Sequence, residues 1–479
     1  MNVLEQLEPQ SVFHFFEQMC AIPHGSGNTK AISDWCAAFA QERGLEYHQD
    51  ADNNIIIIKE ATPGYEQAEP IILQGHLDMV CEKELGCTKD METEGLDLMI
   101  DGDWVRAKGT TLGGDDGIAV AMALAVLDAN DLAHPRVEAV FTVDEEIGLL
   151  GADSLDVSPL KGRRMINMDS EAEGIFTVSC AGGNTTTCIL PLRRDAFSGC
   201  PLRITVGGLT GGHSGAEIDK GRANANMLMG RILQAIALRT ELRIQSVNGG
   251  LKNNAIPVES IADVLVADET AARDVITEME AALKEECRVA DPALHISTET
   301  AETAQNPLDA ATTNQVICML TCLPNGILAM SADIPGLVQT SLNLGILTTT
   351  DEELSAVFSL RSSIDSQLQM LKRRLTCLMN QLGGRVEFEG EYTGWQYQEH
   401  SPLRELMVEV FQEQYGHAPK IEAIHAGLEC GLFAGKIPGL DCVSIGPDMP
   451  EIHTPRERMS IASVQRVWKF LVEVLARAK

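Results

Sequence analysis

The sequence predicts an α/β protein: a mixed-sheet domain split by an inserted α+β domain. Three observations predict it. β-branched apolar runs alternate with helix-period segments in the first 183 residues. The pattern changes character after Ala181-Gly182-Gly183 and returns after Gly394-Trp395. Several apolar runs end in His, Asp or Glu, the mark of one polar site at the carboxyl edge of a sheet. At 479 residues the chain exceeds one ordinary core. The expected division is 1–183 with 392–479 as one discontinuous domain and 184–391 as the insert.

The elements follow in order. Ser11 to Gly44 reads as a helix, a turn at Pro23-His24-Gly25, and a second amphipathic helix from Lys30 to Arg43. Asn54 to Lys59 is β-branched and predicts a strand, with further strands near Ile71, Val137 and Met165. Asp116 to Ala129 is the best helix of this part, and its acidic first turn suits the helix dipole. In the insert, Leu202 to Val206 and Ile261 to Val266 read as strands, and Asn224 to Leu238 and Ala271 to Glu286 as helices. Leu337 to Leu347 and Glu353 to Leu360 alternate, and Ser363 to Leu382 is helical. This resembles a β-α-β-β-α-β (ferredoxin-like) unit with additions. Asp291 to Asn314 is polar and weakly periodic. A helix from Pro402 to Tyr415, a strand near Val443 and a helix from Ile461 to Ala476 complete the first domain.

Bulk properties exclude some functions. The residues are 44% hydrophobic and 22% charged, a globular composition. The formal net charge of −32 disfavours nucleic acid and anionic membrane, both polyanions. The longest apolar stretch, near Ile118 to Leu127, is too short for a span of about 20 residues. Met1-Asn2-Val3-Leu4-Glu5 has neither basic region nor apolar core, so no signal peptide is expected. Thirteen dispersed cysteines, an odd number without a CxxC pair, predict reduced thiols and a cytoplasmic protein. Cys318 and Cys377 are expected to be buried.

Five residues stand at the ends of these runs: His76, Asp115, Glu146, Asp169 and His453. The set suits zinc or a similar divalent ion. Five ligands are too many for one tetrahedral ion and too few for two, unless a carboxylate bridges. A bridging Asp would give each of two ions three protein ligands. Three carboxylates and a shared hydroxide would then balance two dications, which limits the cost of burial. Glu145 is left over beside Glu146 and, facing away from it, could carry the proton of an attacking water. Asp78, two residues after His76, could orient that imidazole. Each signal alone has a plain alternative: Asp115 as a helix cap, Asp169 as a turn, Asp144-Glu145-Glu146 as a solvated loop. Composition and spacing leave catalytic and structural metal sites equally open.

The motifs Gln74-Gly75-His76-Leu77-Asp78-Met79-Val80, Gly109-Thr110-Thr111-Leu112-Gly113-Gly114-Asp115-Asp116-Gly117, Asp144-Glu145-Glu146-Ile147-Gly148 and Asn167-Met168-Asp169-Ser170-Glu171 resemble those of the co-catalytic di-zinc metallopeptidase family. That family includes carnosinases, carboxypeptidase G and acetylornithine deacetylase. Gly211-Gly212-His213-Ser214-Gly215, Asn254-Ala255-Ile256-Pro257, His425-Ala426-Gly427-Leu428-Glu429-Cys430-Gly431 and Val443-Ser444-Ile445-Gly446-Pro447 are similar to its bacterial aminoacyl-histidine dipeptidase group. The resemblance runs nearly end to end. It implies His76 and Asp169 on one zinc, Glu146 and His453 on the other, Asp115 bridging, Glu145 as general base and acid, and Asp78 orienting His76. The insert would be the family's lid domain. His213 would help polarise the scissile carbonyl, supplied in dimeric members by the partner subunit. A helix-start His beside a glycine turn is its plain alternative. Arg361 would clamp the substrate carboxylate with Asn254 near the same group, and Glu429 would receive the substrate amine. Where Gly-Pro-His-Ser-Pro or similar is expected, this chain has Glu451-Ile452-His453-Thr454-Pro455; the His and the second Pro persist.

The expectation is a cytosolic metallodipeptidase and homodimer with two divalent ions per chain, zinc first and cobalt or manganese as alternatives. Its substrates would be unblocked dipeptides, of Xaa-His type. The rival readings are an N-acyl amino-acid deacylase of the same family and a non-catalytic metal- or peptide-binding protein.

Overall fold

Four parallel strands, Val137–Thr142, Ile71–His76, Arg164–Asn167 and Asp441–Ser444, lie side by side in the middle of an eight-stranded sheet. Nearly every residue in them is buried, as the continuous apolar runs require. Ile55–Lys59 and then Glu46–Gln49 extend one side antiparallel. Ile175–Cys180 pairs antiparallel on the other side, and Lys420–Ile424 ends the row. The sheet is mixed, as the sequence predicts. This computed structural model describes residues 3–302 and 305–479. The chain forms two compact units: Met1–Ser179 with Tyr397–Ala423 and Leu428–Lys479, and Cys180–Gln396 with Ile424–Gly427.

In the first unit, the helix Gly114–Asp128 is buried from Gly114 through Leu127. An apolar surface on every side suits a core helix, and this one packs on Ile71–His76 and on the helix Gln10–Cys20. Its first turn is irregular. Asp115 and Asp116 have non-helical backbone angles and are joined by a cis peptide, so the regular helix starts after the acidic pair.

In the second unit, Cys200–Gly207, Leu242–Gly249, Ser260–Val266 and His295–Glu299 alternate with the helices Ala225–Ala237 and Glu269–Glu286. The spatial order is His295–Glu299, Cys200–Gly207, Ser260–Val266, Leu242–Gly249, all antiparallel. That is the β-α-β-β-α-β arrangement. Val338–Thr349, Glu353–Ser362, Gly182–Pro191 and Arg385–Tyr392 widen it to a nine-stranded sheet, and Gly326–Met330 pairs with Val338–Thr349. Cys188, Leu202, Ile232, Val264 and Phe358 are among its core.

None of the thirteen cysteines is in a disulfide. Cys318 is half-buried and Cys377 exposed, against the expectation that both are buried. The helix Asp365–Leu382 shows why: it buries Leu368, Leu371, Leu375 and Met379, and Cys377 lies off that stripe. Among the described residues, no helix is long and apolar enough to cross a membrane.

Candidate metal centre

The carboxyl ends of the four parallel strands deliver the first unit's polar groups. His76 is the last residue of its strand and is 1% exposed. Its Nε2 lies 3.1 Å from Asp115 Oδ1 and 3.6 Å from Asp169 Oδ1. His453 Nε2 lies 3.1 Å from Asp115 Oδ2 and 2.9 Å from Glu146 Oε1. The two oxygens of Asp115 thus face different imidazoles. Asp169 follows the strand Arg164–Asn167, and Glu146 lies four residues beyond Val137–Thr142. The loops that carry them are tightly turned. Asp144 and His453 have left-handed backbones, with φ of 55° and 57°. That conformation is costly without glycine and recurs where a site over-determines it.

The Glu145 carboxylate lies beside His76 and Glu146, and its backbone N–H donates to Asp78 Oδ1 at 3.1 Å. The Glu146 N–H donates to Asp78 Oδ2 at 3.4 Å, and the Ser26 hydroxyl to the same oxygen at 2.8 Å. His76 Nδ1 faces the Asp78 carbonyl oxygen at 2.9 Å and its carboxylate at 3.5 Å. Asp78 therefore holds both the imidazole and the glutamate turn.

The electrostatics show a shortage of positive charge. Burial, then the neighbouring carboxylates of Asp169, Glu429 and Glu146, push the Glu145 carboxyl up to about 9 against the pull of His76. Asp115 and Glu146 raise His453 to about 10. Burial alone would lower His76, but Asp115, Asp169 and Asp78 hold it well above its ordinary value. Among the described residues, no lysine or arginine pairs with Asp115, Asp116, Glu145, Glu146 or Asp169. Uncompensated buried carboxylates on this scale call for cations.

Spacing agrees with that. Two ligands of one tetrahedral zinc, each about 2.1 Å from it, stand about 3.4 Å apart. The contacts above run from 2.9 to 3.6 Å. Three groups lie close enough to hold an ion: Asp115, Glu146 and His453; His76, Glu145 and Glu146; and His76, Asp116 and Asp169. Asp116 had no role in the sequence reading. It is fully buried, its Oδ2 accepts the His76 N–H at 3.3 Å and its Oδ1 has no partner. A Cβ at Gly75 would lie 2.5 Å from that Oδ2, so glycine makes room for it. The doubled Asp115-Asp116 was the only signal.

Glu429 is fully buried below the site. Gln74 Nε2 and the Thr142 hydroxyl donate to its Oε2 at 2.5 and 2.8 Å, and its Oε1 has no partner. Burial pushes this carboxyl up to about 7. Its Oε2 joins side chains of two neighbouring strands, Gln74 of Ile71–His76 and Thr142 of Val137–Thr142.

The second unit gathers its own cluster. His213 belongs to a two-residue strand paired with Ala255–Ile256, not to a helix start. Its Nδ1 accepts N–H groups of Gly215 and Ala216 at 3.2 and 3.0 Å. A neutral ring with Nδ1 accepting carries its proton on Nε2. Burial and then Arg361 lower its pKa, which favours that neutral form. Arg361 is buried, with Nη1 donating to the Tyr392 hydroxyl at 3.2 Å, and no carboxylate pairs with it among the described residues. A Cβ at Gly215 would lie 3.0 Å from His213 Cε1 and 3.1 Å from Arg361 Cζ, so the three residues are neighbours. Asn254 is exposed beside His213, and its carbonyl accepts the Ser214 N–H at 2.8 Å. His425 opens the motif His425-Ala426-Gly427-Leu428-Glu429. It is buried, 2.7 Å from the Ser341 hydroxyl, and burial followed by Arg361 lowers it to about 3.

The chain resembles known proteins in sequence and in fold. Residues 72–477 match the model of peptidase family M20/M25/M40. The chain is 38% identical over 479 residues to the cytosol non-specific dipeptidase of Escherichia coli, covering 99% of each. It superposes on the crystal structure of aminoacylhistidine dipeptidase from Vibrio alginolyticus with a TM-score of 0.94 at 36% identity, covering 98% of this chain and 97% of that one. An aminopeptidase from Bacillus cereus, at 15% identity and a TM-score of 0.56, shares the fold.

Proposed function

The chain belongs to peptidase family M20/M25/M40 and is a peptide-bond hydrolase; from that premise we propose that it is a cytosolic two-metal dipeptidase acting on unblocked dipeptides of Xaa-His type. The observation that carries the reading is Asp115, whose two oxygens stand 3.1 Å from two different imidazoles. His76 and Asp169 would hold one ion and Glu146 and His453 the other, with Asp115 shared. Zinc suits the set best, and cobalt and manganese fit the same ligands. When bound, such ions polarise a carbonyl and acidify water.

The chain's own residues do the rest. Glu145, whose carboxylate lies beside His76 and Glu146, is the general base that takes the proton of the attacking water and returns it to the leaving amine. Asp78 aims it by holding its backbone N–H. The second unit acts as the lid that recognises substrate. His213, with Nε2–H free to donate, steadies the developing oxyanion. Arg361 clamps the terminal carboxylate with Asn254 beside it, a task suited to a buried guanidinium without an acidic partner. The relatives' names support dipeptides as substrates and, for the Vibrio protein, an aminoacyl-histidine preference. Free thiols and the cytosolic relative support the compartment. We also propose a homodimer.

The test is Glu145→Gln assayed on Xaa-His dipeptides. A loss of about 10²–10⁴-fold in kcat with metal content unchanged is expected; full turnover would sink the role of Glu145. N-acetylated dipeptides run in parallel should be poor substrates, and faster cleavage of them than of free dipeptides would favour a deacylase.

A further inference from the structure

Glu457 is 3% exposed and belongs to none of the contacts described above. Four consecutive backbone N–H groups donate to its carboxylate. Leu112 and Gly113 reach Oε2 at 2.7 and 3.1 Å, and Gly114 and Asp115 reach Oε1 at 2.8 and 3.4 Å. Such a run of convergent N–H groups is a nest for an anion, and here the chain's own glutamate fills it. Gly113 enters the nest with φ of 67°. A Cβ at Gly114 would lie 3.3 Å from Glu457 Oε1 and 3.1 Å from Met449 Sδ, so the glycine lets the carboxylate close in.

Glu457 also stands four residues after His453, and its N–H donates to the Thr454 carbonyl at 3.0 Å. One side chain therefore joins the loop that ends in Asp115 to the turn that presents His453. The Asp115–His453 contact of 3.1 Å spans that junction.

We infer that Glu457 is a positioning residue of the metal centre: it sets the Leu112–Asp115 loop so that one carboxylate reaches both ions. The inference rests on the reading of Asp115 as the shared ligand. Gln at 457 would be nearly isosteric, but one oxygen would become an NH₂ aimed at two N–H donors. The nest would lose half of its acceptors and gain a repulsive contact.

The experiment is zinc affinity, measured by competition with a chromophoric chelator, for wild type, Glu457→Gln, Glu457→Asp and Glu173→Gln. Glu173→Gln is the control, because it removes a carboxylate of the same unit whose side-chain hydrogen bonds go to Arg466 and Tyr415 and not to a proposed metal ligand or its loop N–H groups. Wild type should bind two ions, and Glu457→Gln should bind them about 10–100-fold more weakly. Glu457→Asp, which keeps the charge on a shorter stem, should recover part of the loss, and the control should match wild type. In metal-free protein, amide exchange at Leu112–Asp115 should quicken in Glu457→Gln alone. Two ions bound by Glu457→Gln at wild-type affinity would overturn the inference and leave the metal reading standing, as would an equal loss in the control. If Glu457→Gln fails to fold, Glu457→Asp carries the test, and wild-type affinity there overturns it. A wild type that takes up fewer than two ions would overturn the metal reading, and this inference with it.

Discussion

The carboxylate of Asp78 accepts the N–H groups of Glu145 and Glu146 while its residue also faces the His76 ring. Removing it should therefore disturb base and ligand together. Asp78→Ala is expected to cost about 10–100-fold in kcat/KM, the usual scale for a partner of a metal ligand; a steady-state assay checks it. Arg361 makes a separate prediction. Dipeptide amides lack the carboxylate that it would bind, so wild type should prefer free dipeptides. Arg361→Met should erase that preference, raising KM for free dipeptides by about 10–100-fold, the worth of a charge-assisted hydrogen bond. A preference that survives in Arg361→Met would exclude the clamp. At this scale the sequence was legible where polar side chains follow apolar runs: the structure brings His76 to Asp115 and Asp169, and His453 to Glu146. Glu457 and Asp78 act on backbone N–H groups, and a backbone donor leaves no letter in the sequence. The signal for Glu457 was only its place four residues after His453.

Two helices meet at Glu173. Arg466 of the helix Ile461–Arg477 donates through Nε and Nη2 at 2.7 and 2.5 Å, and Tyr415 of the helix Pro402–Tyr415 at 2.6 Å. Burial would raise the Glu173 carboxyl, but Arg466 and the Tyr415 and Ser463 hydroxyls outweigh it and hold it below its ordinary value. A carboxylate depressed in the fold stabilises it above the unfolded pKa of about 4.3, and the contribution fades as pH falls below that. Arg466 is half exposed, so Glu173→Gln should cost only about 1 kcal/mol. Melting curves should show the gap between wild type and variant widest above about pH 5 and closing toward pH 3.5; a gap that widens in acid would contradict the assignment. Element prediction succeeded where a single period ran uninterrupted, as in Ile461–Arg477 and the buried helix after Asp116. It missed Leu242–Gly249, whose bulge between Ile244 and Ser246 breaks the alternation. It also missed His295–Glu299, an edge strand whose burial pattern is mostly exposed. Such a strand is specified by its neighbour, not by its own residues.

Across the whole molecule, the acidic cluster that could hold metal lies in the first unit, and Arg361, His213 and His425 lie in the second. Metal removal should then loosen the first unit selectively. With a chelator, hydrogen exchange should rise in the Leu112–Asp115, Asp144–Glu146 and Glu451–Glu457 segments, while Cys200–Gly207 and Ser260–Val266 stay protected. A uniform rise would contradict a site confined to one unit. The most direct measurement is anomalous diffraction at the zinc edge from crystals of the reconstituted protein. Two peaks should flank the Asp115 carboxylate, one beside His76 and Asp169 and the other beside Glu146 and His453. A single peak, or peaks away from Asp115, would contradict the account.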